Sequence, residues 1–534
     1  MKQILYFIIL FTAITSSVQN IKFQPDFFEH HEILITPSKK EINLHWKVNA
    51  IDEIIEFGIS AHVNGWLALG LSDSGGMTGA DIFLGRKVNG EFLLEDRFAL
   101  ETGYPKLDKS QDLNLISSFH ENGELNFHFT RKLKTCDTED SVIRLDIPLW
   151  FIFAFGEGDF GKHLPGNNAQ KLIDLSGKYF EKELIGENLK EETFNLPLIA
   201  PKIELLPFDT VEDYVIKSPL VHHFVGYLCD APPKDLKEGE SKCNILGKNS
   251  VINFDNKCSK FYLVWAKGGT KRMYPSIAGK PIGKGELNTK YLVMETHYAN
   301  PELLSGMVDE GSGFNLTVTK QLREKDVGMF TLGVDTEFIA IPPKSKESTL
   351  VSDCGEKCMN KIDAGFPESG LNVIAMLLHM HRRGIKMETR QIRNGIELPL
   401  LANINYFDFN YQSYSFASIE QENIKRGDRL ITKCTWNTAA DNEIVRGGSS
   451  SEEEMCFNFI EYYPAMSLSS CFQNGKIDDP KLEPYQDKLY CRIKNKRNIF
   501  NLTKEADFPI FEEKKPDTCL KIDQADKNLS FNIQ

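Results

Sequence analysis

The 534-residue sequence is short of several features that would point to a common class of protein. Basic charge is one: 62 Lys and Arg against 75 Asp and Glu leave a net charge of -13, which argues against nucleic acid or an anionic membrane surface as a partner. Apolar runs are another. Apart from Ile4 to Ile14, itself below the ~20 residues that cross a bilayer, no stretch approaches spanning length, and the tail Asp526 to Gln534 is polar, so no transmembrane or lipid anchor is expected. There is no Gly-rich phosphate loop, His-Glu-x-x-His zinc helix or Gly-x-Ser-x-Gly elbow. Long helical periodicity is scarce. Histidine is scarce too, 12 in all, and beyond residue 200 it occurs in only three short pieces.

What is present begins with a secretory leader. Met1 to Ser17 opens with Lys2, runs apolar to Ile14 and ends on the small residues Ser16 and Ser17, the pattern of a signal peptide over 1–17. The whole sequence is 41% hydrophobic and 11% aromatic, ample for packed cores in about three or four domains. In an oxidising compartment the 11 Cys should mostly pair, although spacing leaves their connectivity open. Sequons at Asn315, Asn501 and Asn528 are glycosylation sites in keeping with that route. The protein is expected in the secreted fraction or a secretory-vesicle lumen.

The fold class reads as all-β. Glu41 to Asn49, Ile54 to Val63, Gly65 to Leu71 and Leu125 to Thr130 alternate apolar and polar residues between Gly and Asp breaks, which makes a first domain over 28–178 β-rich. Glu181 to Thr193 is rich in Glu, Lys and Asn without apolar period, so a solvated linker is expected over 181–195. Two more domains, 196–344 and 346–490, carry short strand-like runs such as Tyr291 to Glu295, Leu371 to Leu378 and Cys456 to Tyr462; 491–534 reads as a tail.

The chemistry gathers in four pieces: Val-His-His at Val221 to His223, Thr-His-Tyr at Thr296 to Tyr298, Leu-Leu-His-Met-His at Leu377 to His381, and Glu-Glu-Met-Cys at Glu453 to Cys456. Five histidines and one methionine fit two separate copper sites. His379 and His381 are two apart, so on a strand both imidazoles leave one face and can grip one ion. Met455 offers a soft, neutral thioether that suits Cu(I) better than Zn or Mg. His222 and His223 are adjacent and would point to opposite faces of a regular strand, so sharing an ion requires a strand end or a bulge. With His297 they could make an all-imidazole site.

At these residues the chain resembles the copper type II, ascorbate-dependent monooxygenases, and within them the dopamine β-monooxygenase and DBH-like monooxygenase branch. The likeness lies in Val-His-His-Phe-Val-Gly-Tyr-Leu-Cys from Val221, Glu-Thr-His-Tyr-Ala-Asn-Pro from Glu295, Ala-Ile-Pro-Pro from Ala340, the His379 and His381 pair, Asn-Thr from Asn437 and Glu-Glu-Met-Cys-Phe-Asn-Phe-Ile-Glu-Tyr-Tyr-Pro from Glu453. Gly-Trp-Leu-Ala-Leu-Gly-Leu-Ser from Gly65, Gly-Ala-Asp-Ile from Gly79 and Thr-Cys-Asp from Thr135 resemble a DOMON domain. The resemblance implies a DOMON β-sandwich followed by two tandem jelly-roll-like copper domains facing a shared cleft. It implies two coppers per chain: His222, His223 and His297 would hold the one that takes electrons from ascorbate, and His379, His381 and Met455 the one that meets O2 beside a small-molecule substrate. It also implies bridges Cys229–Cys258, Cys354–Cys471, Cys358–Cys491, Cys434–Cys456 and Cys136–Cys519. Cys243 is left over, because the Tyr-x-Cys strand that would supply its partner is replaced by Asp209 to Ser218. The family's subunit-linking cysteines have no counterpart in Phe472 to Tyr490, so any homo-oligomer would be non-covalent.

Substrate choice rests on fewer residues. The peptide-amidating branch places an Arg two residues before its His-x-His pair and an Asn two after the copper Met; here Leu377 and Phe457 stand there, which speaks against a peptide carboxylate. Glu295 is the residue type of the dopamine-hydroxylating branch, and Tyr462 matches a tyrosine placed near substrate, though it reads equally as a packed aromatic on a buried strand. Arg382 and Arg383 could repel a cationic amine or simply face solvent at a strand end. A phenethylamine-like substrate is the expectation. Two other readings stay in view: a non-catalytic secreted copper-binding protein, and a haem-binding electron-transfer protein using Met77 and His163. The monooxygenase branch uses its DOMON domain without haem, which favours Met77 as loop filler and His163 as a surface residue.

Overall fold

The computed structural model describes residues 21–179, 193–198, 209–215, 221–229, 258–269, 272, 274–282, 291–298, 309, 311–355, 359, 366–418, 423–466, 468–473, 489–493 and 496–500. Among them the regular structure is strand, with short 3-10 turns, and no helix is long and apolar enough to cross a membrane. The expected all-β class is what the chain adopts. Two compact units are present: Met1–Gly70 with Asp81–Ile143 and Ile152–Lys171, and Leu71–Ala80 with Arg144–Phe151 and Leu172–Gln534.

The N-terminal sandwich has a five-stranded antiparallel sheet in the order His30–Ile35, Glu41–Asn49, Ile54–Ala61, Glu124–Lys132, Asn114–Glu121. Period-two alternation sends Phe57 and Phe129 to one face, where they meet Phe83 of the second sheet; the Phe57–Phe129 and Phe83–Phe129 centroids are 5.6 and 5.5 Å apart. On the other face the register aligns His31, His45, Gly58 and His128 in one row. Phe28 fills the space a side chain at Gly58 would take, since a Cβ there would lie 2.6 Å from its ring. Met77 follows the strand Trp66–Ser72 half-buried, its carbonyl accepting from Ala80 N, and His163 sits in a loop with Nδ1 3.2 Å from the Leu164 carbonyl.

In the larger unit, Val221–Cys229 lies between Cys258–Ala266 and Tyr291–Tyr298, and Gly313–Thr319 between Thr193–Leu198 and Asp209–Val215. Among the described residues, the strand Thr193–Leu198 overlaps the end of the stretch expected as linker. Composition favoured solvation there, but Thr193 to Leu198 gains a ladder from Gly313–Thr319 that no local average reveals. A seven-stranded sheet then runs Ser415–Phe416, Asn372–His379, Cys456–Tyr463, Gly328–Val334, Leu468–Gln473, Leu489–Ile493, Lys496–Phe500, so the expected tail opens with two paired strands. It faces a sheet built on Ser348–Cys354, Arg429–Trp436 and Gly384–Arg393, with Leu332, Leu350, Met376, Trp436 and Ile460 in the shared core.

Two expected disulfides, Cys354–Cys471 and Cys434–Cys456, each join one of these sheets to the other. Cys229 and Cys258 are opposite in register, and Cys136 is disulfide-bonded. Cys358, Cys519 and Cys243 lie outside the described residues, as do Asn501, Asn528 and 1–17; Cys491 is on Leu489–Ile493, and Asn315 is half-buried on Gly313–Thr319. A buried ion cluster fixes Cys456–Tyr463 to the segment around Arg272: Glu461 accepts from Arg272 at 3.1 Å and Tyr274 at 3.0 Å and pairs with Lys280 at 2.6 Å.

Candidate metal centre

His222 and His223 stand at the start of Val221–Cys229. The ladder to Tyr291–Tyr298 shifts register between Val221 and His223, the irregularity that two adjacent histidines need to turn toward one point. Their Nδ1 atoms are 2.8 Å apart. Beyond the shift His223 pairs with His297, and their rings stack with centroids 3.9 Å apart. His297 Nε2 donates to Glu295 at 2.5 Å, and Tyr227 OH donates to the other oxygen of that buried carboxylate at 3.0 Å. The carboxylate thus fixes the His297 tautomer and leaves Nδ1 with its lone pair.

His379 ends the strand Asn372–His379, and His381 follows two residues on; their centroids are 5.2 Å apart. His379 Nδ1 donates to Gln412 Oε1 at 2.7 Å and His381 Nδ1 to the Glu453 carbonyl at 2.9 Å, so in both rings Nε2 is the nitrogen free to bind a metal. His379 pairs with Phe457 in the antiparallel ladder. The half-buried Met455 immediately precedes Cys456–Tyr463, the strand that carries Phe457.

The two histidine sets, expected across a cleft, instead form one continuous cluster. His223 lies 5.4 Å from His379 and 6.4 Å from His381, and His222 lies 6.2 Å from His381, separations like those within each set. Phe409 stacks on His222 at 4.0 Å. Close approach is tolerable because the rings are neutral: burial, then neighbouring His381 and His297, lowers His222 to about 3, and burial lowers His381 to about 4. His223 and His379 are held well below the ordinary histidine range, by burial first. Among the described residues, His222 Nε2 and His381 Nε2 are buried and have no partner within hydrogen-bond geometry. Several buried imidazoles whose pKa is lowered, with Met455 in the adjoining segment, are residue types suited to copper.

Tyr462 is not brought to this cluster. It lies an odd number of residues after Met455, so it projects from the opposite face of the strand into the core, where it is fully buried and packs on Phe330 at 5.3 Å. Its hydroxyl accepts from Met466 N at 3.4 Å, and burial raises its pKa. This corrects its expected place beside substrate. Arg383 is engaged by Asp441 at 2.7 Å and Arg382 pairs with Glu452, in keeping with the strand-end reading of both. Sequence reading gave no role to Gln412, Phe409 or Glu454. Glu454 was visible in its motif; the other two reach the histidines from a distant loop and carry no local signal. Burial pushes the Glu454 carboxyl up to about 7, against the N–H donors of Arg383, His381 and Trp436 that favour its ionised form.

Comparison with known proteins accords with this site. Residues 38–156 match the DOMON domain, 210–305 the copper type II ascorbate-dependent monooxygenase N-terminal domain, and 325–481 the C-terminal domain of the same family. The chain is 30% identical to DBH-like monooxygenase protein 1 of Homo sapiens over 78% of this chain and 71% of that protein. It is 28% identical to tyramine beta-hydroxylase of Caenorhabditis briggsae, over 85% and 80%, and 27% identical to dopamine beta-hydroxylase of Rattus norvegicus, over 83% and 74%. The cytochrome b domain of a Coprinopsis cinerea pyranose dehydrogenase aligns with 28% of this chain and 83% of its own, at 14% identity and a TM-score of 0.24, too low to carry an argument. By the histidine cluster and these matches together, the chain belongs to the copper type II ascorbate-dependent monooxygenase family, with a DOMON domain ahead of its two copper domains.

Proposed function

We propose that this protein uses copper and ascorbate to insert one atom of O2 into a C–H bond of a small, phenethylamine-like substrate, the other atom leaving as water. The reaction consumes two electrons and two protons, and ascorbate is the source of the electrons. Copper, when bound, would supply the one-electron chemistry that O2 requires. The chain's own residues hold it: His222, His223 and His297 as one ligand set, His379, His381 and Met455 as the other, two ions per chain. Glu295, Gln412 and the Glu453 carbonyl orient the rings through the nitrogen turned away from the metal. The observation that carries this reading is the gathering of five buried or part-buried histidines from both sets, with His223 5.4 Å from His379 and His222 6.2 Å from His381.

The substrate class draws on two things. The relatives named above include hydroxylases of tyramine and dopamine. The neighbours of His379 on its own strand face and across the ladder are Leu377, Phe457 and Phe459, which offer no partner to a peptide carboxylate. Secretion, non-covalent self-association and glycosylation at Asn315 belong to the same reading. The test is oxygen uptake by the full chain with phenethylamines, with and without copper and ascorbate. Uptake should require both, and His379→Ala or Met455→Ala should abolish it. Full activity in either variant would defeat the ligand assignment.

A further inference from the structure

His381 lies beyond the end of its strand, so the ladder that fixes His379 does not fix it. Its backbone N–H is held instead by a buried carboxylate. Glu454 is fully buried, and its Oε2 accepts from His381 N at 3.0 Å and from Trp436 Nε1 at 2.8 Å, while Oε1 accepts from Arg383 N at 2.8 Å. The three-residue turn closes with Gly384 N donating to the His381 carbonyl at 3.1 Å. The backbone of Glu454 is anchored in turn, its N donating to the Arg446 carbonyl at 2.9 Å and its carbonyl accepting from Gly448 N at 3.2 Å. The carbonyl of Glu453, one residue before, accepts from His381 Nδ1, and Met455 is the residue after. Imidazole and thioether are therefore tied to one another through Glu454, which grips the turn on one side and is covalently continuous with the methionine on the other.

We infer that Glu454 is a positioning residue that sets His381 and Met455 at a fixed separation, so that both ligands reach the same ion. This rests on the copper reading above and adds a residue that touches neither metal nor substrate. A carboxylate suits the task because it accepts on both oxygens; the glutamine of the same length has one oxygen and one NH2, and the NH2 cannot accept from a backbone N–H. Glu454→Gln should therefore release one side of the turn while keeping side-chain volume. Partners that orient metal ligands typically change metal affinity by about 10- to 100-fold when altered.

The test is X-ray absorption on the full-length protein loaded with Cu(I), together with a copper titration. Wild type should show a sulfur scatterer. Glu454→Gln should lose it, bind copper at the His379 and His381 set roughly 10- to 100-fold more weakly, and keep copper at the His222, His223 and His297 set. A Glu454→Gln protein with undiminished sulfur scattering and wild-type affinity overturns the inference. Absence of sulfur scattering from wild type would instead defeat the Met455 assignment itself, a separate failure. Should Glu454→Gln not fold, Trp436→Phe decides: it removes one of the three bonds and keeps the core filled, and a weaker sulfur contribution supports the inference whereas an unchanged spectrum overturns it.

Discussion

The imidazoles of His223 and His379, contributed by separate sheets, lie with ring centroids 5.4 Å apart and planes at 73°, nearly as close as His379 lies to His381. Residues in contact do not act independently, and those sharing a site typically couple by about 0.5 to 3 kcal/mol. His223→Ala and His379→Ala should each weaken copper binding, and the double variant should lose measurably more or less than their sum. Titration against a competing chelator reads the difference. Strict additivity would mean that the two ligand sets act apart in solution.

Tyr462→Phe should leave oxygen uptake close to wild type. Its hydroxyl has one long hydrogen bond, from Met466 N at 3.4 Å, and it faces the core rather than the histidines. A large fall in turnover with unchanged stability would return Tyr462 to the site.

Glu461→Gln should destabilise the larger unit by about 3 to 5 kcal/mol, the range for removing one partner of a buried ion pair. Although burial alone would raise it, Lys280 and Arg272 hold the Glu461 carboxyl below its ordinary value. Glutamine would withdraw the carboxylate charge from beside two buried cations. Denaturant unfolding followed by tryptophan fluorescence measures the loss, and a change within ±0.5 kcal/mol, the range for an ordinary surface substitution, would show that the cluster is not stabilising.

Acid should weaken the N-terminal sandwich. Burial, and then the neighbouring His31, lowers His45 from 6.5 to about 4 in the folded state, and its ring packs against Phe23 and Phe28. His128 is lowered in the same direction, by burial first. The unfolded chain thus binds more protons between these values, and stability rises with pH. The contribution is complete above about 6.5 and is lost as pH falls toward 4. Thermal unfolding of the metal-free protein across this window should show the slope, and His45→Gln should flatten it. A slope unchanged by that substitution would assign the effect elsewhere.

Much of the fold was legible because it is written in short-range pattern. Glu41–Asn49 alternates apolar and polar residues, and the strand has the bounds that alternation marks. The requirement for a strand end or a bulge at His222 and His223 also follows from side-chain alternation alone, and a register shift is there. For Tyr462 motif likeness and burial point different ways in the sequence, and its packing on Phe330 in the core is the second of those two readings. The strand at Thr193 to Asn195, within the expected linker, has no local signal, since an edge strand depends on a partner more than a hundred residues away.

Residue type alone determined which side chains could bind a soft metal, and their spacing determined which could share an ion. Only the tertiary structure decided that both histidine sets form one cluster, that Gln412 and Phe409 close upon it, and that Glu454 ties His381 to Met455. The physical reason is that ligand chemistry is a property of each side chain, whereas burial, tautomer and the distance between strands are set by segments that meet only when the sheets assemble.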